Sequence, residues 1–247
     1  MIPTDLSYTF DNEGDNALII RLSRNQPFEM PDITLNKAAI LLAQKFNLLI
    51  QQQTLSGILE AIPTFSTVGI YYDLDRINSQ FLPRLKDKTA ELWANVLTEL
   101  SKSDSDTGKL VEIPICYDLE YGIDLIELSA QLNLSIEEII QLHSQSPVRV
   151  FMLGFSPGLP YLGLFDKKLN IPRRPTPRTK LPAGSIAIAN RQCVIYPYET
   201  PGGWHIVGAT PLTLFDPNRQ PKTLYQAGDL VQFKSISKEE FLHLKHI

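Results

Sequence analysis

Cysteine is nearly absent: Cys116 and Cys193 are the only two in 247 residues, and they stand far apart without C-x-x-C spacing. That excludes a disulfide framework, a zinc knuckle and a dithiol redox pair, and it suits a reducing, cytoplasmic location. A surplus of basic charge is also missing. The net charge of −4 gives no general attraction to nucleic acid or acidic membranes. Long apolar runs are lacking, since none reaches the roughly 18 residues of a membrane span. Met1–Ser7 shows neither the basic segment nor the apolar one of a signal peptide, so a soluble, non-exported chain is expected. The four histidines form no metal-ligand spacing with Asp or Glu, and neither a Walker nor a Rossmann glycine pattern occurs.

What is present is the composition of an ordinary globular chain, 43% hydrophobic and 20% charged, which excludes extensive disorder and fibrous repeats. The length favours two domains over one. Proline locates the change in character: 12 of the 18 lie between Pro147 and Pro221. Proline cannot donate to a sheet ladder or continue a helix, so that stretch predicts short strands joined by stiff loops. The polar run Ser101–Lys109 predicts a linker, dividing the chain into a domain over residues 1–104 and another over 105–247.

Before the linker, Ala17–Leu22 reads as a strand. Leu35, Ala38, Ala39, Leu42 and Phe46 form the single apolar stripe of a helix packed on a sheet. Ile58–Ile62 and Val68–Tyr72 read as strands and Phe81–Leu100 as a second helix. With Val111–Cys116 as the last strand, the order is βαββαβ, a ferredoxin-like α/β sandwich; that strand could equally open the second domain. After the linker, Asp124 with Glu127, and Ser135 with Glu138, have capping-box spacing and predict helices over Leu125–Leu132 and Ile136–His143. Short strands are predicted at Val148–Leu153, Ser185–Ala189, Val194–Tyr196, His205–Gly208, Leu212–Phe215 and Leu230–Lys234. Their number and the turn residues between them predict a barrel or sandwich, and the whole chain is α+β.

Two motifs mislead. Gly154-Phe155-Ser156-Pro157-Gly158 matches G-x-S-x-G, but a nucleophile elbow needs a helix after the serine and an N–H on the next residue. Pro157 and Pro160 deny both, which leaves a Gly/Pro turn. The helix-turn-helix outline of Asp124–Ser144 offers Glu137, Glu138, Gln141 and His143 where a DNA reader needs Lys or Arg, so two packed structural helices are expected instead.

The strongest local feature is Lys167–Lys180, with six positive charges and no acid. Pro172, Pro175 and Pro177 stiffen it and display Arg173, Arg174 and Arg178, whose planar forks suit a carboxylate or phosphate. The bland alternative is a solvated basic loop. Glu199–His205 is its companion: Gly202 and Gly203 permit positive φ and a nest of N–H groups, Trp204 could wall a pocket, and Glu199 and His205 could move protons. Its bland alternative is a tight turn with Trp204 in the core. His143 at a helix end is expected to be capped or buried, and His243 and His246 to be tail residues.

Ile115–Leu125 (ICYDLEYGIDL), Leu134–Ser144 (LSIEEIIQLHS), Met152–Gly163 (MLGFSPGLPYLG), Pro172–Arg178 (PRRPTPR) and Pro201–Trp204 (PGGW) occur in one order. Together they resemble the PxpB/KipI family, the B subunits of 5-oxoprolinase, also called allophanate hydrolase subunit 1. The resemblance is dense over residues 111–233 and thin before them; Leu159 and Leu164 depart from the family's usual Phe and Gly. It implies an N-terminal α+β domain and a C-terminal cyclophilin-like β-barrel. It also implies work with PxpA and PxpC in the ATP-dependent opening of 5-oxo-L-proline to L-glutamate, ATP being used by the complex. Arg173, Arg174 and Arg178 would then hold a phosphate or the substrate carboxylate, beside Gly202, Gly203 and Trp204, with Glu199 and His205 in proton transfer or orientation. Two rival functions are a KipI-type inhibitor of a sporulation histidine kinase and one half of a carboxyltransferase-like pair acting on a urea-derived substrate.

Overall fold

A computed structural model describes residues 5–27, 29, 31–102 and 108–245. The centre of the expected linker, the 104/105 boundary, Met1–Thr4 and His246 lie outside the described residues. The chain divides into two compact units, Met1–Asp106 and Thr107–Ile247.

In the first unit, β1 (Leu6–Glu13), β2 (Ala17–Arg24), β3 (Ile58–Pro63) and β4 (Thr67–Tyr72) form an antiparallel sheet in the order β1-β2-β4-β3. Helices α1 (Ile33–Gln51) and α2 (Phe81–Lys102) pack on it. Asp32 starts α1 by accepting from the Leu35 N–H at 2.8 Å. The stripe Leu35, Ala38, Ala39, Leu42 and Phe46 is buried against Ile20, Val68 and Ile70 of the sheet and Leu85 and Val96 of α2. Helix α1 is long and apolar enough to cross a membrane by length and composition, and 44% of that window is buried in this unit.

The expected βαββαβ order is not what forms. The edge place beside β2 is filled by β1, in which Leu6, Tyr8 and Phe10 face the core at period two. Residues 110–115 belong to the second unit.

There, β5 (Leu110–Ile115) joins β6 (Val148–Leu153), β7 (Pro160–Gly163), β9 (Ser185–Ala189), β10 (Gln192–Ile195), β12 (His205–Ala209) and β13 (Leu230–Ser235) in one seven-stranded sheet. Its order is β12-β9-β10-β7-β6-β13-β5, antiparallel except for β13 with β5. The two edge strands curl toward each other. Cys116 and Ala209 exchange N–H···O bonds of 2.9 and 3.1 Å, so the sheet nearly closes into a barrel. Val150, Leu162, Ile186, Ile188, Cys193, Val207 and Phe233 fill the inside. Helices α3 (Leu125–Leu132) and α4 (Ile136–Ser144) bury Leu125, Leu128 and Ile139 in that core, and α5 (Lys238–Lys245) seats Phe241 beside Cys116 and Ala209. A ribbon of β8 (Arg178–Leu181) and β11 (Thr200–Gly202) stands apart from the barrel sheet.

Leu212–Phe215 is not a strand. Leu214 is buried as the alternation suggests, but the segment makes only an isolated bridge, Phe215 with Thr223. The Ser135/Glu138 capping box forms in both directions, at 3.1 and 2.7 Å. The Asp124/Glu127 one does not: Asp124 gives no side-chain cap, because its carboxylate is engaged elsewhere. His143 is fully buried between the rings of Phe165 and Phe233, with its Nδ1 2.8 Å from the Tyr117 hydroxyl. Burial lowers its pKa to about 3, which keeps the ring neutral.

Candidate functional site

Ribbon β8–β11 brings the arginine loop and the diglycine bend together, with Gly202 opposite Arg178 in the register. The segment before β8 is fastened at two points, to the bend after β11 and to the start of β12. The Arg174 N–H donates to the Gly203 carbonyl at 2.7 Å, and His205 Nε2–H donates to the Pro172 carbonyl at 3.0 Å. These bonds fix the peptide groups on both sides of Arg173, whose guanidinium lies 5.5 Å from the centre of the Trp204 ring, within cation–π range.

Below this pair lies a cavity of about 200 Å³. Arg173, Arg174, Gly202, Gly203 and Trp204 line it, with Tyr161, Tyr196, Val194, Leu159 and Phe155 completing the apolar and aromatic walls. Burial raises the Tyr161 phenol and pushes that of Tyr196 up to about 12, so both stay protonated donors. Phe155 is 70% exposed at φ +69, a conformation side chains rarely adopt. The turn behind it is shaped by Gly158, where a Cβ would meet the Phe215 Cβ at 2.7 Å.

The three arginines have different situations. Arg178 grips Asp124 through both nitrogens, Nη1 to Oδ2 at 2.8 Å and Nη2 to Oδ1 at 2.6 Å. Arg174 Nη1 donates to Asp124 at 3.2 Å and to Glu127 at 2.8 Å. Asp124, 2% exposed, also accepts from the Ile206 N–H at 2.7 Å while its own N–H donates to the Ile206 carbonyl, extending the barrel's closing seam. Burial alone would raise the Asp124 carboxyl. The hydrogen bonds from Arg178 and Ile206, with the charges of Arg178 and Arg174, outweigh it and hold the group below the usual carboxylate range. Glu127 is likewise lowered, by its bond from Arg174. Arg173 alone of the three makes no ion pair among the described residues.

Several expectations therefore need correcting. Arg178 does not line the cavity, because Asp124 holds its fork. Glu199 and His205 do not line it either. Glu199 is an exposed partner of Lys180 at 3.0 Å, and the buried His205 ring is tied to Pro172. Gly202 and Gly203 are not among the positive-φ glycines, so they form no left-handed nest. Gly202 serves close approach instead: a Cβ there would come within 2.5 Å of the Tyr196 hydroxyl and 2.6 Å of Leu181. Trp204 is buried, as its bland alternative held, and still forms a cavity wall.

Tyr161, Tyr196 and Asp124 escaped sequence reasoning. The signal for Asp124 was an acidic stretch, Asp118, Glu120, Asp124 and Glu127, with an acid-free, arginine-rich loop about fifty residues further on. Among the described residues four buried polar atoms lack a hydrogen-bond partner, Arg174 Nε, His205 Nδ1, Ser156 Oγ and His143 Nε2; only Arg174 belongs to a residue of the cavity lining. Among the described residues no group of His, Cys, Asp and Glu could hold a metal ion.

Residues 9–225 match the family described as carboxyltransferase domain, subdomain C and D. The chain is 35% identical over 237 residues to the B subunit of 5-oxoprolinase from Bacillus subtilis (strain 168), covering 95% of each. The crystal structure of TTHA0988 superimposes with a TM-score of 0.70 and 32% identity over 90% of this chain, which spans 40% of that longer one. The urea amidolyase of Kluyveromyces lactis gives a TM-score of 0.68 over 96% of this chain and 15% of its own; at 17% identity the likeness is one of fold.

Proposed function

The chain belongs to the family of 5-oxoprolinase B subunits, within the carboxyltransferase domains of subdomain C and D, and from that footing we propose that it is a subunit of ATP-dependent 5-oxoprolinase. It works with PxpA- and PxpC-type partners, in the cytoplasm, to open 5-oxo-L-proline to L-glutamate. The first unit is then a ferredoxin-like sandwich with a displaced edge strand, and the second a cyclophilin-like barrel.

A five-membered lactam is a poor electrophile at neutral pH, so transfer of the terminal phosphoryl group of ATP to its oxygen, releasing ADP, would activate the carbon toward water. The C–N bond would then break with the ring nitrogen leaving as the amine, and hydrolysis of the acyl phosphate would release phosphate and L-glutamate. This chain contributes an anion receptor. The observation that carries this reading is Arg173: the loop's one guanidinium without an ion pair among the described residues, its backbone fixed on both flanks and its side chain set over Trp204 at the cavity. A guanidinium fork carried on a backbone held at both flanks binds carboxylate or phosphate with less ordering cost than one on a free loop. His205 acts as a positioning residue for Arg173, and Glu199 stays outside the chemistry.

The test is glutamate formation dependent on ATP and 5-oxoproline, with this chain added to or withheld from its partner subunits. Turnover only in its presence supports the reading, and turnover without it would refute it. Neither rival, a kinase inhibitor or an enzyme of urea derivatives, gains a specific observation from this site.

A further inference from the structure

The count of charge around the cavity goes further than the word anion. Of the loop's six cations, the four from Arg173 onward, Arg173, Arg174, Arg178 and Lys180, stand against three acids, Asp124, Glu127 and Glu199. Each acid is matched, Asp124 to Arg178, Glu127 to Arg174 and Glu199 to Lys180, which leaves one positive charge facing the cavity, that of Arg173. Arg174 also lines the cavity, but its charge is taken up by Glu127 and Asp124; the remaining lining is neutral, made of phenols, a phenyl ring, an indole, prolines, glycines and aliphatic carbons.

The diglycine bend adds no nest as a second anion seat. Gly202 and Gly203 lack the left-handed conformation of a phosphate nest, and the Arg174 N–H is spent on the Gly203 carbonyl. The volume points the same way. About 200 Å³ lies below the roughly 300–1,000 Å³ of pockets for drug-sized ligands. A nucleoside triphosphate would need more room and several positive groups or a metal for its phosphates.

We infer that this cavity receives the carboxylate of one small ring-shaped monoanion, 5-oxo-L-proline itself, with Arg173 on the carboxylate and the lactam ring against the aromatic wall of Trp204, Tyr161 and Tyr196, and that it excludes the nucleotide, which another subunit must hold. This rests on the function proposed above and deepens it by assigning one of the two co-substrates to this chain. The Tyr196 phenol, in the cavity wall and kept protonated by burial, can donate to a lactam oxygen.

Isothermal titration calorimetry of the full chain decides it, using 5-oxo-L-proline, its uncharged carboxamide and magnesium ATP as probes, with wild type and Arg173→Met. The expected result is one-to-one binding of 5-oxoproline, weakened by about tenfold or more for both the carboxamide and Arg173→Met, as loss of a charge-assisted hydrogen-bond pair implies. Magnesium ATP should give no binding heat. Arg173 is exposed, so the variant should keep the wild-type near-ultraviolet circular dichroism.

The inference is overturned if magnesium ATP binds in an Arg173-dependent manner, if Arg173→Met binds 5-oxoproline as tightly as wild type, or if the chain does not bind 5-oxoproline at all. Any of these alongside glutamate formation by the assembled subunits would remove this assignment alone. Absence of that turnover would remove the functional reading.

Discussion

Asp124 and Arg178 meet in a two-point fork, 2.8 and 2.6 Å, with the carboxylate almost wholly buried and the guanidinium partly so. The pair is a joint. Asp124 also takes the Ile206 N–H at the barrel seam and one nitrogen of Arg174, so a single carboxylate connects α3, β12 and the arginine loop. Removing the charge leaves one amide oxygen to serve two guanidiniums and a seam N–H. Asp124→Asn should therefore destabilise the chain by about 3 kcal/mol, the lower end for breaking a buried pair because the arginines keep some contact with water. Arg173→Met should stay within about 0.5 kcal/mol, as for a surface change. Urea unfolding followed by circular dichroism measures both; equal midpoints for wild type and Asp124→Asn would show that the joint carries no stability.

The same joint should respond to acid. The folded Asp124 carboxyl lies below its unfolded value of about 3.9. Its stabilisation is thus fully present above that value and is lost as pH falls through the folded one. Glu127, lowered by Arg174, acts in the same direction. The urea midpoint of wild type should fall more steeply from pH 5 to pH 3 than that of Asp124→Asn, which has no proton to take up there. Parallel curves would contradict this.

The helices and inner strands were legible because their signal is local. The α1 stripe and the apolar runs of β6, β9 and β12 record burial within a few residues of each position. The edge strand β1 was missed, since its second half, Asp11–Glu13, is exposed and polar. The short ribbon strands β8 and β11 escaped for a related reason: three or four residues of Arg, Thr, Lys, Pro and Gly have no apolar period. In the site, the arginine cluster could be read from the sequence but not its division of labour. The acids that neutralise Arg174 and Arg178 lie 47 to 54 residues away, and only folding selects which arginine goes without. Asp124 and Glu127 suggested a helix cap because their spacing is correct for one. A charge-assisted fork to guanidinium outcompetes a lone N–H.

The two glycines of the bend should tolerate a methyl group differently. At Gly202 a Cβ would lie 2.5 Å from the Tyr196 hydroxyl and 2.6 Å from Leu181, so Gly202→Ala should cost about 1–3 kcal/mol through overpacking and displace Tyr196 from the cavity wall. At Gly203 the nearest neighbours, atoms of Pro177, are at 3.5–3.8 Å, an ordinary contact. Gly203→Ala should therefore fold with a melting temperature close to wild type. Equal losses at both positions would mean that backbone freedom, rather than space, governs the bend.

His205 offers the sharpest separation between positioning and proton transfer. Its Nε2–H bond to the Pro172 carbonyl holds one side of Arg173, and the Arg174 N–H to Gly203 holds the other. Glutamine at position 205 can place an amide N–H close to where Nε2 lies, but it cannot shuttle a proton near neutral pH. A positioning role therefore predicts that His205→Gln keeps 5-oxoproline binding within about threefold of wild type, whereas His205→Ala, which frees the Pro172 carbonyl, weakens it by about tenfold. In the assembled complex the loss in His205→Ala should fall mainly on KM, since the substrate's seat is loosened while the reacting groups are unchanged. Proton transfer by His205 would instead make His205→Gln as damaging as His205→Ala, with kcat falling and KM held. The Gln variant's kcat is thus the measurement that chooses between them.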